Sequence, residues 1–202
     1  MSVIEINERI RCIEASDNPL SADIGIISGD GPAWLYDVGN GAQNIAGLND
    51  CYNVVLSHFH QDHTGNTGRI QTREVYVSKE TYRYVKKGTI VTGDLYFGSL
   101  HIFPIPSSHS KGSLGLEVDG TYAFVGDALY SRVRDGFFIY NATLLKDEIA
   151  LLKKLNAPFL LVSHHTGLIR SKEEVIEELE EIYSTREKNA PEIRVKSQHT
   201  GK

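Results

Sequence analysis

Ser57-His58-Phe59-His60-Gln61-Asp62-His63-Thr64-Gly65 follows directly on an apolar run, Val54-Val55-Leu56. A short apolar run bounded by polar turn residues reads as a buried strand. The histidines therefore sit on the loop that leaves the strand, where a rigid anchor lets several side chains be aimed at one point. His58 and His60 are two apart, so in extended backbone their side chains leave the same face. Asp62 and His63 are adjacent and cannot both point where the first pair points. The pattern predicts two metal subsites, one fed by His58 and His60, the other by Asp62 and His63. Neutral imidazole and carboxylate suit zinc, and also iron or manganese. A lone histidine is usually a satisfied or solvated residue, but here three of the chain's eight histidines and an aspartate share six positions.

This His-x-His-x-Asp-His run after a strand resembles the signature of the metallo-β-lactamase fold superfamily, and within it the glyoxalase II-like hydrolase branch. Later ligands of the pattern occur in order: His109 in Ser107-Ser108-His109-Ser110, Asp127 in Val125-Gly126-Asp127-Ala128, and His164 in Val162-Ser163-His164-His165. The resemblance runs from about Ala22 to the helix after Ser171. It implies an α+β fold, a four-layer αββα sandwich, and a hydrolase with two divalent metal ions, zinc first, with iron or manganese as alternatives. By the same resemblance His58, His60 and His109 would hold one ion, Asp62, His63 and His164 the other, and Asp127 would bridge them. Two cations lower the pKa of a shared water from about 15.7 towards roughly 7, which yields a nucleophile at neutral pH.

Asp62 and Tyr130 are the candidate catalytic residues. Tyr130 follows Asp127 by three, an arrangement similar to that of N-acyl homoserine lactonases, where the phenol assists the substrate carbonyl; a pocket-wall tyrosine is the alternative. Asp37, in Asp37-Val38-Gly39, is read either as a support behind the metal loop or as a turn former. His165 competes with His164, which the family's placement directly after the strand favours. Three positions depart from the family pattern: Ser108 for a glycine, Lys111 for a proline at the pocket rim, and Asn66 for a glycine after the motif.

The implied substrate is a small acyl compound: a thioester, an ester or a lactone. Glyoxalase II carries an additional helical region, and only one further helix fits after Ser171, which counts against glutathione thioesters. In the superfamily's true β-lactamases the position of Asp127 is not a bridging aspartate, which counts against β-lactams. Rival readings are a phosphodiesterase or nuclease-type metallohydrolase, a di-iron redox protein of flavodiiron type (His60 stands where that family has Glu), and a metal-free interaction module.

Composition narrows the classes. The 202 residues suggest one domain, 1–202, with enough chain to bury a core. A net charge of −5 without long like-charge blocks lacks the footprint of a nucleic-acid binder. No apolar run approaches the roughly 18 residues a membrane span needs, and the N-terminus shows no signal-peptide pattern. A cytoplasmic protein acting on a small molecule, without nucleic acid or membrane as partner, is the expectation. The spacing says nothing of oligomeric state. Cys12 and Cys51, far apart, read as small buried hydrophobes.

Along the chain, residues 3–13 read as a strand or hairpin. Ala22–Ser28 and Trp34–Tyr36 read as strands separated by the Gly29-Asp30-Gly31-Pro32 turn. Residues 40–52 read as a short helix and loop. Glu74–Val77, Thr89–Thr92, Leu95–Phe97 and Leu100–Ile105 read as strands, with a helix capped by Ser78 after the first. Asp119-Gly120 between alternating runs predicts a hairpin that delivers Asp127. Thr143 is expected to cap a helix to about Leu155, Phe159–Val162 to form a buried strand, and Ser171 to open the last helix with a capping box. From Ala190 the polar sequence predicts a loosening chain.

Overall fold

The computed structural model describes residues 2–29 and 31–196. Residues 3–13 form an antiparallel hairpin of β1 (Val3–Glu5) and β2 (Ile10–Ile13). A two-stranded ribbon, β3 (Ser16–Asp17) and β4 (Leu20–Ser21), leads into β5 (Ile24–Ile27). The turn expected next includes Asp30, outside the described residues. Then come β6 (Trp34–Tyr36), a 3-10 turn at Ala42–Ile45, β7 (Tyr52–Val55), the one-turn helix α1 (Gln61–Thr64), β8 (Thr72–Val77), α2 (Lys79–Val85) and β9 (Thr89–Ile90). The first sheet runs β1-β2-β5-β6-β7-β8-β9, with β6, β7, β8 and β9 mutually parallel.

The second half supplies β10 (Leu95–Phe97), β11 (Leu100–Ile105), β12 (Ser113–Val118), β13 (Tyr122–Gly126), β14 (Arg132–Arg134), β15 (Phe137–Asn141), α3 (Ala142–Leu152), β16 (Phe159–Val162), β17 (Ile169–Ser171), α4 (Lys172–Ser184) and β18 (Glu192–Lys196). The second sheet runs β10-β11-β12-β13-β16-β17, with β13 and β16 parallel. A third, small sheet pairs β14, β15 and β18.

Period-two alternation sorts the strand residues into three buried cores. Ile10, Ile27, Tyr36 and Val55 of the first sheet meet Ile102, Leu116, Phe124 and Leu161 of the second. The opposite face of the first sheet, with Ile26, Leu35, Val54 and Val77, is covered by Ile45 of the 3-10 turn and Val85 of α2. The opposite face of the second, with Phe103, Ala123, Val125 and Leu160, is covered by Leu145 and Ile149 of α3 and Val175 and Leu179 of α4. Helix, sheet, sheet, helix: this is the expected four-layer αββα sandwich. Gly25 shows how tight the central layer is, since a Cβ there would lie 2.4 Å from the Phe124 ring.

The stacking sets the ends of two parallel strand pairs beside one another. Asp37 follows β6 directly, His58 lies three residues after β7, Asp127 follows β13 directly and His164 lies two residues after β16. The β12–β13 turn has φ 55 at Asp119 and 60 at Gly120, the left-handed pair of a tight hairpin. Ser78 and Ser171 cap α2 and α4 as expected, accepting from the N–H groups of Thr81 and Glu174.

Two expectations need correction. The cap of α3 is Asn141, not Thr143: its Oδ1 accepts from the N–H groups of both Thr143 and Leu144 at 3.0 Å. The helix begins at Ala142, so Thr143 already lies within its first turn and Asn141 holds the capping position. The chain also does not loosen at Ala190, because β18 pairs along its whole length with β15. Ile193 and Val195 alternate inward there, a signal too short to stand out among charged neighbours. Residues 197–202 of that expected tail lie outside the described residues.

α3 buries a carboxyl in its apolar interface. Glu148 is 1% exposed and its Oε1 has no partner. Burial pushes its pKa well above the usual carboxylate range. The folded state then holds a proton that the unfolded state has released, so stability falls as pH rises above the unfolded pKa. Glu148→Gln should stabilise the fold at pH 8 by about 1–3 kcal/mol, seen as a higher melting temperature. The gain should shrink towards pH 5; thermal melts at the two pH values compare them.

Candidate metal centre

The loop after β7 turns at once into α1, with His60 at its N-cap. Two backbone bonds pin this loop: the Ala22 N–H donates to the Asp62 carbonyl at 2.9 Å, and the Val38 N–H to the His63 carbonyl at 3.0 Å. Asn66, where the family pattern has glycine, is fully buried and braces the loop from behind. Its side-chain amide donates to the carbonyls of Val38 and Gly41, each at 3.0 Å. The departure from the pattern therefore adds a support.

The donor atoms fall into two groups: His58, His60 and His109, and Asp62, His63, Asp127 and His164. Within each group all lie within 4.8 Å of one another. Among the described residues there is no third such group. In the first, His60 Nδ1 stands 2.8 Å from His58 Nε2 and 3.1 Å from His109 Nε2. The edge of a tetrahedron with Zn–N bonds of about 2.0–2.1 Å is roughly 3.3 Å, so these nitrogens have nearly the spacing of a ligand face. In the second, His164 Nε2 lies 3.1 Å from Asp62 Oδ2, and His63 Nε2 lies 3.4 Å from the same oxygen. Asp127 Oδ2 stands between the groups, 3.3 Å from His63 Nε2 and 3.4 Å from His109 Nε2.

Behind these atoms lies a buried network that sets the imidazole tautomers. Asp37 Oδ1 accepts the Ser57 N–H and Oδ2 accepts the Ser57 hydroxyl, both at 2.7 Å. Asp37 Oδ2 also accepts from His63 Nδ1 at 2.7 Å, and Ser57 Oγ lies 3.0 Å from His58 Nδ1. With Nδ1 engaged behind both rings, it is Nε2 that each ring turns inward. Of the two readings of Asp37, the structure places it behind the metal loop, and its φ of 60 makes it a left-handed turn residue as well.

The electrostatics suit a cation. Burial first, then the neighbouring imidazoles, push the His58 pKa far down, and burial lowers that of His109. Both rings stay neutral, the form that binds metal. His63 is opposite: burial pulls its pKa down, but Asp37 and Asp127 outweigh it and raise it to about 10. Burial also works against the Asp62 carboxylate, which the His164 hydrogen bond nevertheless holds below its usual range. His63 Nε2 and Asp127 Oδ1 are buried and have no hydrogen-bond partner. Carboxylates that draw a proton so strongly, beside an orphaned imidazole nitrogen, fit a divalent ion better than they fit one another.

His164 leaves β16 at φ 58. Its N–H donates to Asp23 Oδ2 at 2.9 Å, and the Ser163 hydroxyl stands 3.2 Å from the same oxygen. Asp23 and Ser57 are the two supports that sequence reasoning missed; Ser57 borders the histidine motif without a role read for it, and only the packing of β5 against β16 reveals Asp23. His165 is exposed and belongs to neither group. His101 is turned to Asp94 and Glu117 instead. Lys111 is largely in solvent, 3.6 Å from Glu80. Tyr130 lies beside His109, ring centroids 6.3 Å apart, but its hydroxyl donates to the Ser163 carbonyl at 2.7 Å. Burial pushes that phenol up to about 12, so it keeps its proton. No helix of the described residues is long and apolar enough to cross a membrane.

No protein-family model matches the sequence, and no curated protein matches it. Solved structures do. A B3 metallo-β-lactamase with an active-site glutamic acid superposes with a TM-score of 0.69 at 12% identity, covering 92% of this chain and 90% of that one. The chemotaxis sensor ODP, described with a peroxy di-iron species, gives 0.68 at 15% identity over 91% and 94%. An archaeal metallo-β-lactamase superfamily protein from Sulfolobus tokodaii gives 0.61 at 18% over 91% and 90%. Likeness at such identity speaks for architecture, and with the layers and strand ends above it identifies this chain as one with the metallo-β-lactamase fold.

Proposed function

We propose that residues 1–202 act as one hydrolase domain with a dinuclear metal centre, zinc in the first instance, that cleaves an acyl substrate: a thioester, ester or lactone. The observation that carries this is the position of Asp127 Oδ2, within 3.4 Å of an inward-facing Nε2 from each donor group. His58, His60 and His109 would hold one ion, Asp62, His63 and His164 the other, and Asp127 is placed to serve both. Bound there, two divalent ions would acidify water and polarise the carbonyl under attack.

The chain's own residues do the rest. The Asp37–Ser57 network fixes the rings, so little reorganisation accompanies the reaction. Asp62, partly exposed, is placed to orient the attacking water. Tyr130 props the Ser163 carbonyl, and with it the His164 turn; it reaches a substrate carbonyl only by giving up that bond. The substrate is a small molecule, and neither nucleic acid nor a membrane is a partner in this reading. The protein works in the cytoplasm.

A second reading rests on one comparison: the chemotaxis sensor ODP, which forms a peroxy di-iron species, has this fold. Elemental analysis of the protein, purified without added metal, separates the two. Two zinc ions per chain with esterase, thioesterase or lactonase turnover is the expected result. Two iron ions per chain with oxygen consumption would replace the hydrolase by the redox reading. Failure to take up metal on reconstitution would end both.

A further inference from the structure

A cleft of about 760 Å³ opens beside His109. From the metal centre it runs past Tyr130 to walls built by Val133 of β14, Phe138 of β15, Val195 of β18 and Ile182 of α4. The small three-stranded sheet thus has a use: with α4 it makes a trough that starts at a proposed metal ligand. Val133 is 68% exposed and Phe138 39% exposed, a heavy apolar surface for a wall that nothing among the described residues covers. The rim is close to neutral. Glu178 is paired with Arg170 at 2.8 Å, and of the other charged rim residues one, Glu181, is an acid and one, Lys196, a base. A charged occupant would find no surplus of opposite charge there, whereas an apolar one would find walls on both sides.

We infer that this cleft seats the acyl part of the substrate, and that the group is a medium-length aliphatic chain rather than the small acyl group the sequence suggested. The inference rests on the hydrolase reading for its chemistry. Its geometry is independent of that reading: the volume lies within the range of about 300–1,000 Å³ typical of ligand sites. The chain begins at the carbonyl held over the metal centre and lies between Phe138 and Ile182, with its end near Val133. Each methylene that enters the trough leaves water, and full burial is worth about fourfold in kcat/KM per methylene.

The test uses the full-length, metal-loaded protein. p-Nitrophenyl esters from acetate to decanoate keep the leaving group constant while the acyl chain grows. Between butyrate and octanoate kcat/KM is expected to rise by about 10²-fold. Val133→Glu, at an exposed site that does not threaten folding, should flatten that slope. A flat series in the wild type, or one that follows the size of the leaving group in a second series of acetate esters, would overturn the assignment. Calorimetric titration with decanoate itself needs no turnover. Decanoate should bind, acetate should not, and Val133→Glu should weaken decanoate at least tenfold. If no ester is cleaved but decanoate binds in this way, the hydrolase reading falls and the cleft assignment stands. If decanoate does not bind, the cleft assignment falls whatever the enzyme cleaves.

Discussion

Asp127→Ala is expected to release at least one metal ion per chain and lower kcat/KM by about three orders of magnitude, with the fold intact. Among the described residues the carboxylate's nearest ring nitrogens are His63 Nε2 and His109 Nε2, at 3.3 and 3.4 Å. Among the described residues, too, it caps no helix and accepts from no backbone N–H, so its loss costs the metal-free fold only its support of His63. The backbone bond at this turn, from the Tyr130 N–H to the Asp127 carbonyl, survives any side chain. What goes is the one atom shared by the two donor groups. Inductively coupled plasma analysis and circular dichroism on the same sample give the two readouts. A variant that kept both ions and full activity would exclude the two-ion reading. One that unfolded would show Asp127 to be part of the core.

The motif after β7 was legible because chemistry and spacing coincide in six residues. Two imidazoles two apart and an Asp-His pair directly after them leave few arrangements, and the structure divides their donor atoms into the two expected groups. His109, Asp127 and His164 were legible only as later members of a resembled pattern, since each taken alone is an ordinary strand-end residue. The supports were not legible. Ser57 borders the motif, yet nothing in its neighbours says that its hydroxyl joins Asp37 to two rings. Asp23 meets His164 across 141 residues of chain, a pairing set by the stacking of two sheets. β18 was missed for a related reason: a five-residue strand of alternating charge and apolar side chain is stable only because β15 offers it an edge. Long-range packing decides such elements, and local pattern carries little of it.

Asp37→Ala should be the most damaging single change outside the donor set, and it should act twice. In the metal-free protein Asp37 is fully buried and accepts from Ser57 N, Ser57 Oγ and His63 Nδ1. Removing it orphans those donors and leaves His63 without its partner, at a cost of about 3–5 kcal/mol. A chain of this length loses roughly 2–4 °C per kcal/mol, so the melting temperature should drop by about 10 °C. The second effect concerns metal. Without Asp37 only the longer contact to Ser57 Oγ, at 3.2 Å, is left to hold the Nδ1–H tautomer of His63, and outer partners of this kind are typically worth about 10–100-fold in metal affinity. The two effects separate in one experiment, because metal adds stability in proportion to the logarithm of its concentration over Kd. A support for the fold alone would lower the loaded and metal-free melting temperatures equally. A support for the centre also narrows the gap between them, by about 1.4–2.7 kcal/mol at fixed metal concentration. Asp37→Asn sharpens the distinction. Asparagine tolerates the left-handed backbone at φ 60 and can still accept the Ser57 N–H, so much of the fold stability should return. Its amide NH₂ cannot accept from His63 Nδ1, so the narrowed gap should remain. If Asn restored both, Asp37 would act through shape alone, and the charge behind the histidines would have no part in holding metal.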